Sequence, residues 1–117
     1  MSQDSGWIPV CALSDILPWT GVAARIEGEQ VAVFRVGEDE LFVLANNDPF
    51  SGANVMSRGI VGDIGGELVV ASPVYKQHFR LHDGQCVEDE SVQLKTWPVR
   101  VYDGTVLVSA SATSAAA

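Results

Sequence analysis

The chain has 117 residues, 47% hydrophobic and 8% aromatic, with a formal net charge of −8. That length suits one small globular domain, and burying roughly 65% of the unfolded surface lets one hydrophobic core carry it without disulfides or metals. The acidic balance argues against nucleic-acid binding, which needs clustered Lys and Arg to displace counterions, and leaves a soluble surface or an acidic docking face.

At the start, "MSQDSGW" has neither the basic region nor the apolar core of an export signal. "WIPVCAL" reads as a strand. In "SDILPW", Ser14 is placed to cap a single helical turn that Pro18 cuts short. "QVAVFRV" and "LFVLAN" alternate with period two around the polar turn "GEDE" and predict a hairpin. The longest apolar region, "IVGDIGGELVVASPV", is broken by Asp63 and Glu67 and is shorter than the ~20 apolar residues that span a bilayer.

Within that region "ELVVASP" follows Gly65 and Gly66 as another strand. "HFRLHDG" sets Phe79 and Leu81 on one face before an Asp-Gly turn. "WPVRVYDGTVLVSA" predicts a second hairpin with Asp103-Gly104 at its tip. Trp7, Trp19 and Trp97 are expected to plug the core. No window keeps helical periodicity over three turns, and the glycines and prolines fall mostly between apolar runs. The expectation is an all-β sandwich or barrel over residues 1–109, followed by a disordered tail over 110–117.

Two loops remain, "NNDPFSGANV" and "SPVYKQHFRLHDG". Each follows an extended run, and together they occupy about residues 46–86. They resemble the two cluster-gripping loops of the Rieske fold, which read Cys-Pro-His-x-Gly and Cys-Pro-x-His-Gly. Here the first is Asp48-Pro49-Phe50-Ser51-Gly52 and the second Ser72-Pro73-Val74-Tyr75-Lys76. Both prolines and the first glycine stay in register; the four ligand positions and the second glycine do not. "HFRLHDGQC" matches the aromatic-x-Leu-x-x-Gly hairpin that follows the second loop in that fold.

A Rieske centre needs two thiolates on one iron and two neutral imidazoles on the other. Asp48, Phe50, Ser72 and Tyr75 cannot supply them, since Asp and Ser offer hard oxygen, Phe offers nothing, and Tyr loses its proton only near pH ~10. His78, His82 and Cys86 make no substitute site, because four strand residues span roughly 13 Å whereas zinc ligands lie about 2 Å from the ion. Ser72, His78 and Asp83 lack the Gly-x-Ser-x-Gly elbow of a hydrolase. "GDIGGE" lacks the spacing and the following helix of a phosphate loop.

Over nearly its whole length the chain is similar to the small subunits of NAD(P)H-dependent assimilatory nitrite reductase, a Rieske-like branch without the cluster ligands. The stretches that carry this are "NNDPFSGANVMSRGIVGDIGGELVVASPVYKQHF" and "LHDGQC". The resemblance implies a Rieske-like β-sandwich or barrel in which two hairpin loops replace the cluster-binding subdomain. It implies a large-subunit partner that carries FAD, sirohaem and an iron–sulfur cluster and reduces nitrite to ammonium. It also implies that this chain has no cofactor, no metal and no catalytic residue of its own.

The alternatives are a Rieske-type ferredoxin of an oxygenase or other redox system, or a stand-alone small-molecule binding module. The ferredoxin would be coloured and redox-active; the binding module would hold a ligand without a protein partner. On the nitrite reductase reading, Phe50 and Tyr75 are expected to pack together where the cluster would tie the loops. Tyr75, Lys76, His78 and Arg58 are expected to meet the partner. Cys11 and Cys86, lacking CxxC or zinc spacing, are expected to be reduced, with the cytoplasm as the working compartment.

Overall fold

A computed structural model describes residues 6–113. Ten strands form three antiparallel sheets. The first holds β1 (Trp7–Ala12), β10 (Thr105–Ser109) and β9 (Val99–Tyr102). The second runs β2 (Thr20–Ile26), β3 (Glu29–Val36), β4 (Glu40–Ala45) and the short β8 (Thr96–Trp97). The third holds β5 (Ile60–Ile64), β6 (Glu67–Ala71) and β7 (His78–Arg80). The expected all-β class is correct, as are the hairpins β3–β4 and β9–β10. Asp103 and Gly104 both take positive φ, 52° and 77°, as the mirror-image hairpin turn requires.

The second sheet is buried on both faces, and β3 shows why. Val31, Ala32, Val33 and Phe34 are all fully buried. Ala32 and Phe34 join a core with Leu44, Met56, Val70, Phe79 and Leu81, on the side of the third sheet. Val31 and Val33 join another with Val43, Trp97, Val106 and Val108, on the side of the first. Period-two alternation thus feeds two cores from one strand, where the composition suggested one.

Several local expectations are corrected. The early turn is a 3-10 segment, Leu13–Asp15, and Ser14 does not cap it; Asp15 reaches back to accept from the Ala12 N–H at 3.2 Å. β2 shows little β signal because its residues are small where the core is tight. A Cβ on Gly21 would lie 2.7 Å from the Phe34 ring. Of the three tryptophans Trp97 is buried, whereas Trp19 is 50% exposed and Trp7 lies on an outer sheet face.

Of the expected tail, residues 110–113 are tied down. The Ala110 N–H donates to Gly6 O and the Thr113 N–H to Thr96 O, both at 2.7 Å, while Ala112 packs on the core. Residues 114–117 lie outside the described range.

Gly84 fixes the hairpin after the second loop. It has φ 76°, and a Cβ there would sit 2.1 Å from Leu94 O. Its N–H bonds Arg80 O, and its carbonyl accepts from the Leu94 N–H, each at 2.8 Å. The Phe79-x-Leu81-x-x-Gly84 pattern therefore seats two core side chains and allows one backbone crossing. Gly84→Ala combines left-handed strain with backbone overlap. We expect a loss of at least about 3 kcal/mol, read as the shift of the urea unfolding midpoint.

Candidate functional site

The two loops lie between β4 and β5 and between β6 and β7; the first packs through Phe50 on the core that Phe34 and Phe79 share, and the second is flanked by Val70 and Phe79 of that core. Their internal bonding is the same, position for position. In the first, the Phe50 N–H donates to Asp48 Oδ1 at 2.9 Å and the Gly52 N–H to Asp48 O at 2.7 Å. The Asp48 N–H in turn donates to Ala53 O at 2.8 Å. In the second, the Val74 N–H donates to Ser72 Oγ at 3.2 Å and the Lys76 N–H to Ser72 O at 3.1 Å. The Ser72 N–H donates to Gln77 O at 2.9 Å.

In both loops the leading side-chain oxygen accepts the amide two residues on, a local turn that Asp and Ser favour. The fifth residue is left-handed in each, Gly52 at φ 78° and Lys76 at φ 69°. Lys76 thus keeps the backbone of the glycine that the Rieske pattern places there.

The loops are joined head to head. The Ser72 hydroxyl donates to Asp48 Oδ2 at 2.5 Å, across 24 residues of sequence, and neither side chain reaches solvent. Among the described residues, the buried polar side chains are these two and Asn46. Asn46 pins the base of the first loop. Its Nδ2 donates to Gln30 Oε1 and Asn54 O, both at 3.2 Å, and its Oδ1 accepts from the Ser57 N–H at 2.7 Å. Asn47 closes the loop by donating to Gly52 O at 2.9 Å. Each of these three buried side chains has a partner, as burial demands, whereas the Oε1 of Gln77 at the end of the second loop is buried without one. The sequence reading passed over both asparagines, although an Asn-Asn-Asp run at a strand end signals side-chain-to-backbone bonding.

The expected aromatic pair is not formed. Phe50 packs against Phe79, ring centroids 6.3 Å apart and tilted by 44°, while Tyr75 is 59% exposed. Phe50 points down into the core that Phe79 anchors, whereas the second loop turns Tyr75 outward, one residue beyond the position that matches Phe50.

Of the other expected residues, Lys76 and Arg58 are exposed. His78 is half-buried and engaged, with Nδ1 2.6 Å from Glu88 Oε2 and its backbone N–H donating to Glu88 Oε1 at 2.8 Å. Desolvation works to raise the Glu88 pKa, but the bonds from the His78 backbone and ring together with the coulombic attraction of His78 outweigh it and hold the carboxyl below its usual range. Glu88 was missed in the sequence because it lies 10 residues from its partner.

A Rieske centre does not fit this donor set. Oxygen and aromatic carbon stand where two thiolates and two imidazoles are needed, and a hydrogen bond closes the gap between the two former thiolate positions. Among the described residues, no three His, Cys, Asp or Glu side chains converge as metal ligands. His82 is exposed beside Asp83, and Cys86 is buried opposite Phe79. Both cysteines are free thiols pushed up in pKa chiefly by burial, which disfavours nucleophilic or ligand chemistry. Ser72 is no nucleophile either: it is fully buried, and its proton points at a carboxylate.

Comparison with known proteins supports the fold. Residues 6–109 match the family described as Rieske-like [2Fe-2S] domain. The chain is 52% identical over 103 residues to the nitrite reductase (NADH) small subunit of Salmonella typhimurium, covering 87% of this chain and 95% of that protein. The NMR structure of the E. coli protein NirD superposes with a TM-score of 0.82 at 48% identity, covering 87% of this chain and 94% of that one. A nitrite reductase [NAD(P)H] large subunit of Klebsiella oxytoca is 44% identical over 102 residues, which are 87% of this chain and 11% of that protein.

If the Asp48–Ser72 bond ties the loops together, Ser72→Ala strands a buried carboxylate oxygen. The expected cost is about 1–3 kcal/mol in urea unfolding, with the slope unchanged. A variant as stable as the parent would show that the bridge contributes nothing.

Proposed function

This chain belongs to the Rieske-like family and, within it, to the small subunits of NADH nitrite reductase, and we propose that it serves there as an accessory subunit without a redox group of its own. The observation that carries this is the Asp48–Ser72 bridge. It occupies the former ligand positions with a pair that satisfies itself and leaves no thiolate for iron. The resemblance implies that the large subunit would hold the FAD, iron–sulfur and sirohaem groups, which would supply the redox chemistry that takes nitrite to ammonium. This chain contributes surface and shape. The relatives' names and the nicotinamide chemistry support a cytoplasmic setting.

The test is purification of the intact chain with the large subunit of its own organism. A stable complex is expected. The small chain alone should be colourless and fold with far less than one iron per molecule. Stoichiometric iron with visible absorption would restore the ferredoxin reading.

The loop tip is the contact this reading favours first. Val74 and Tyr75 are 42% and 59% exposed at the end of the second loop, and Ile60 and Val87 beside it are also exposed. Lys76 and Arg58 add positive charge on an acidic protein, suited to orienting a partner more than to holding it. His78 contributes less than the sequence suggested, because Glu88 already engages it. Tyr75→Ala with Lys76→Glu is expected to weaken large-subunit binding by tenfold or more, roughly the loss of one aromatic anchor, without lowering the melting temperature. Unchanged binding and unchanged nitrite-dependent NAD(P)H oxidation would remove the tip from the interface.

A further inference from the structure

The first sheet sends Ile8, Val10, Val99, Val106 and Val108 into the core. Its other face looks outward. Pro9, Leu107 and Arg100 lie in one cross-strand row, with Trp7 opposite Ser109 and Tyr102 opposite Thr105. The Arg100 guanidinium sits 4.4 Å from the centre of the Trp7 ring, and Tyr102 is 73% exposed. Trp7, Arg100, Tyr102 and Leu107 line a shallow depression of about 380 Å³.

An antiparallel face turned to water ordinarily alternates in charged residues. This one carries none of the chain's 15 acidic residues on any of its three strands. Aromatic and Arg enrichment with few other charges is the composition of an interface core, and Trp, Tyr and Arg dominate binding hot spots.

The ends of the domain identify the occupant. The Ala110 N–H donates to Gly6 O at 2.7 Å, so Gly6 and Ala110 lie side by side at the edge of this face, and residues 111–113 then run on to Thr96 of the second sheet. In the Klebsiella oxytoca large subunit, a segment similar to almost the whole domain is continuous with the rest of that polypeptide. The connecting chain there must join at one or both of these adjacent ends. A tether at that corner holds the neighbouring face against the remainder of the large subunit at high effective concentration.

We propose that the outward face of β1, β10 and β9, centred on Trp7, Arg100 and Tyr102, is a second docking surface for the nitrite reductase large subunit, separate from the loop tip. This rests on the small-subunit reading above, and the experiment separates the two. Affinity for the intact large subunit is measured for the parent chain, for Arg100→Glu with Tyr102→Glu, and for Tyr102→Phe. Each is checked by thermal melting and by sedimentation of the small chain alone.

The double variant is expected to bind about thirtyfold more weakly at an unchanged melting temperature, and Tyr102→Phe within about threefold of the parent. Should the double variant lose its fold, hydrogen exchange of the parent complex decides, with protection of residues 99–109 expected. Parent-like binding by a folded double variant, or no such protection, overturns the proposal and leaves the small-subunit reading standing. A parent chain that self-associates while the double variant is monomeric assigns the face to a second copy and overturns it too. No binding by the parent chain at all defeats both.

Discussion

Two loops that belong to a metal-binding fold must be held in register by something, and here the Asp48–Ser72 hydrogen bond does it. A cluster would join them by four bonds to iron; this chain uses one short bond between two buried oxygens. The substitution works because the surrounding backbone is already arranged to donate to the leading residue of each loop. Phe50 and Val74 offer their amides to Asp48 and Ser72. An oxygen acceptor satisfies those amides, so each loop keeps its turn with Asp or Ser at the leading position. Asn46 completes the arrangement from below by tying the first loop to Gln30 on β3 and to Ser57.

That local solution depends on the sheets beneath it. β3 is buried on both faces, so the loop core and the sandwich core share one strand and cannot shift independently. Phe50 is anchored into the first of these cores through Phe79, the residue that also begins the Phe79-x-Leu81-x-x-Gly84 turn. Close packing carries displacement in one loop into the other through these shared side chains.

The chain is acidic overall, with 15 acidic against 7 basic residues, and its exposed large apolar side chains include Val74 and Tyr75 at the tip, Tyr102 on the first sheet, and Leu17 and Trp19 before β2. Among the described residues no three His, Cys, Asp or Glu side chains converge as metal ligands. The thiols are raised by burial, and the loop hydroxyl is committed to a carboxylate.

Much was legible in the sequence because it is local. Period-two alternation marked β3, β4, β9 and β10, Asp103-Gly104 marked a turn, and the residue types at Asp48, Phe50, Ser72 and Tyr75 show that the Rieske ligand set of two Cys and two His is not present there. What required the tertiary structure was which side chains meet. Asp48 and Ser72 are 24 residues apart, and no spacing rule relates them. Phe50 meets Phe79 instead of Tyr75 because its loop faces inward, and Trp7 faces out because the β1–β10 register pairs it with Ser109 and turns Ile8 and Val108 to the core. β2 stayed hidden because Gly21 was selected to make room for Phe34, a constraint set by a neighbouring strand. Backbone pattern is written residue by residue along the chain, whereas contact between distant side chains exists only once the sheets have packed.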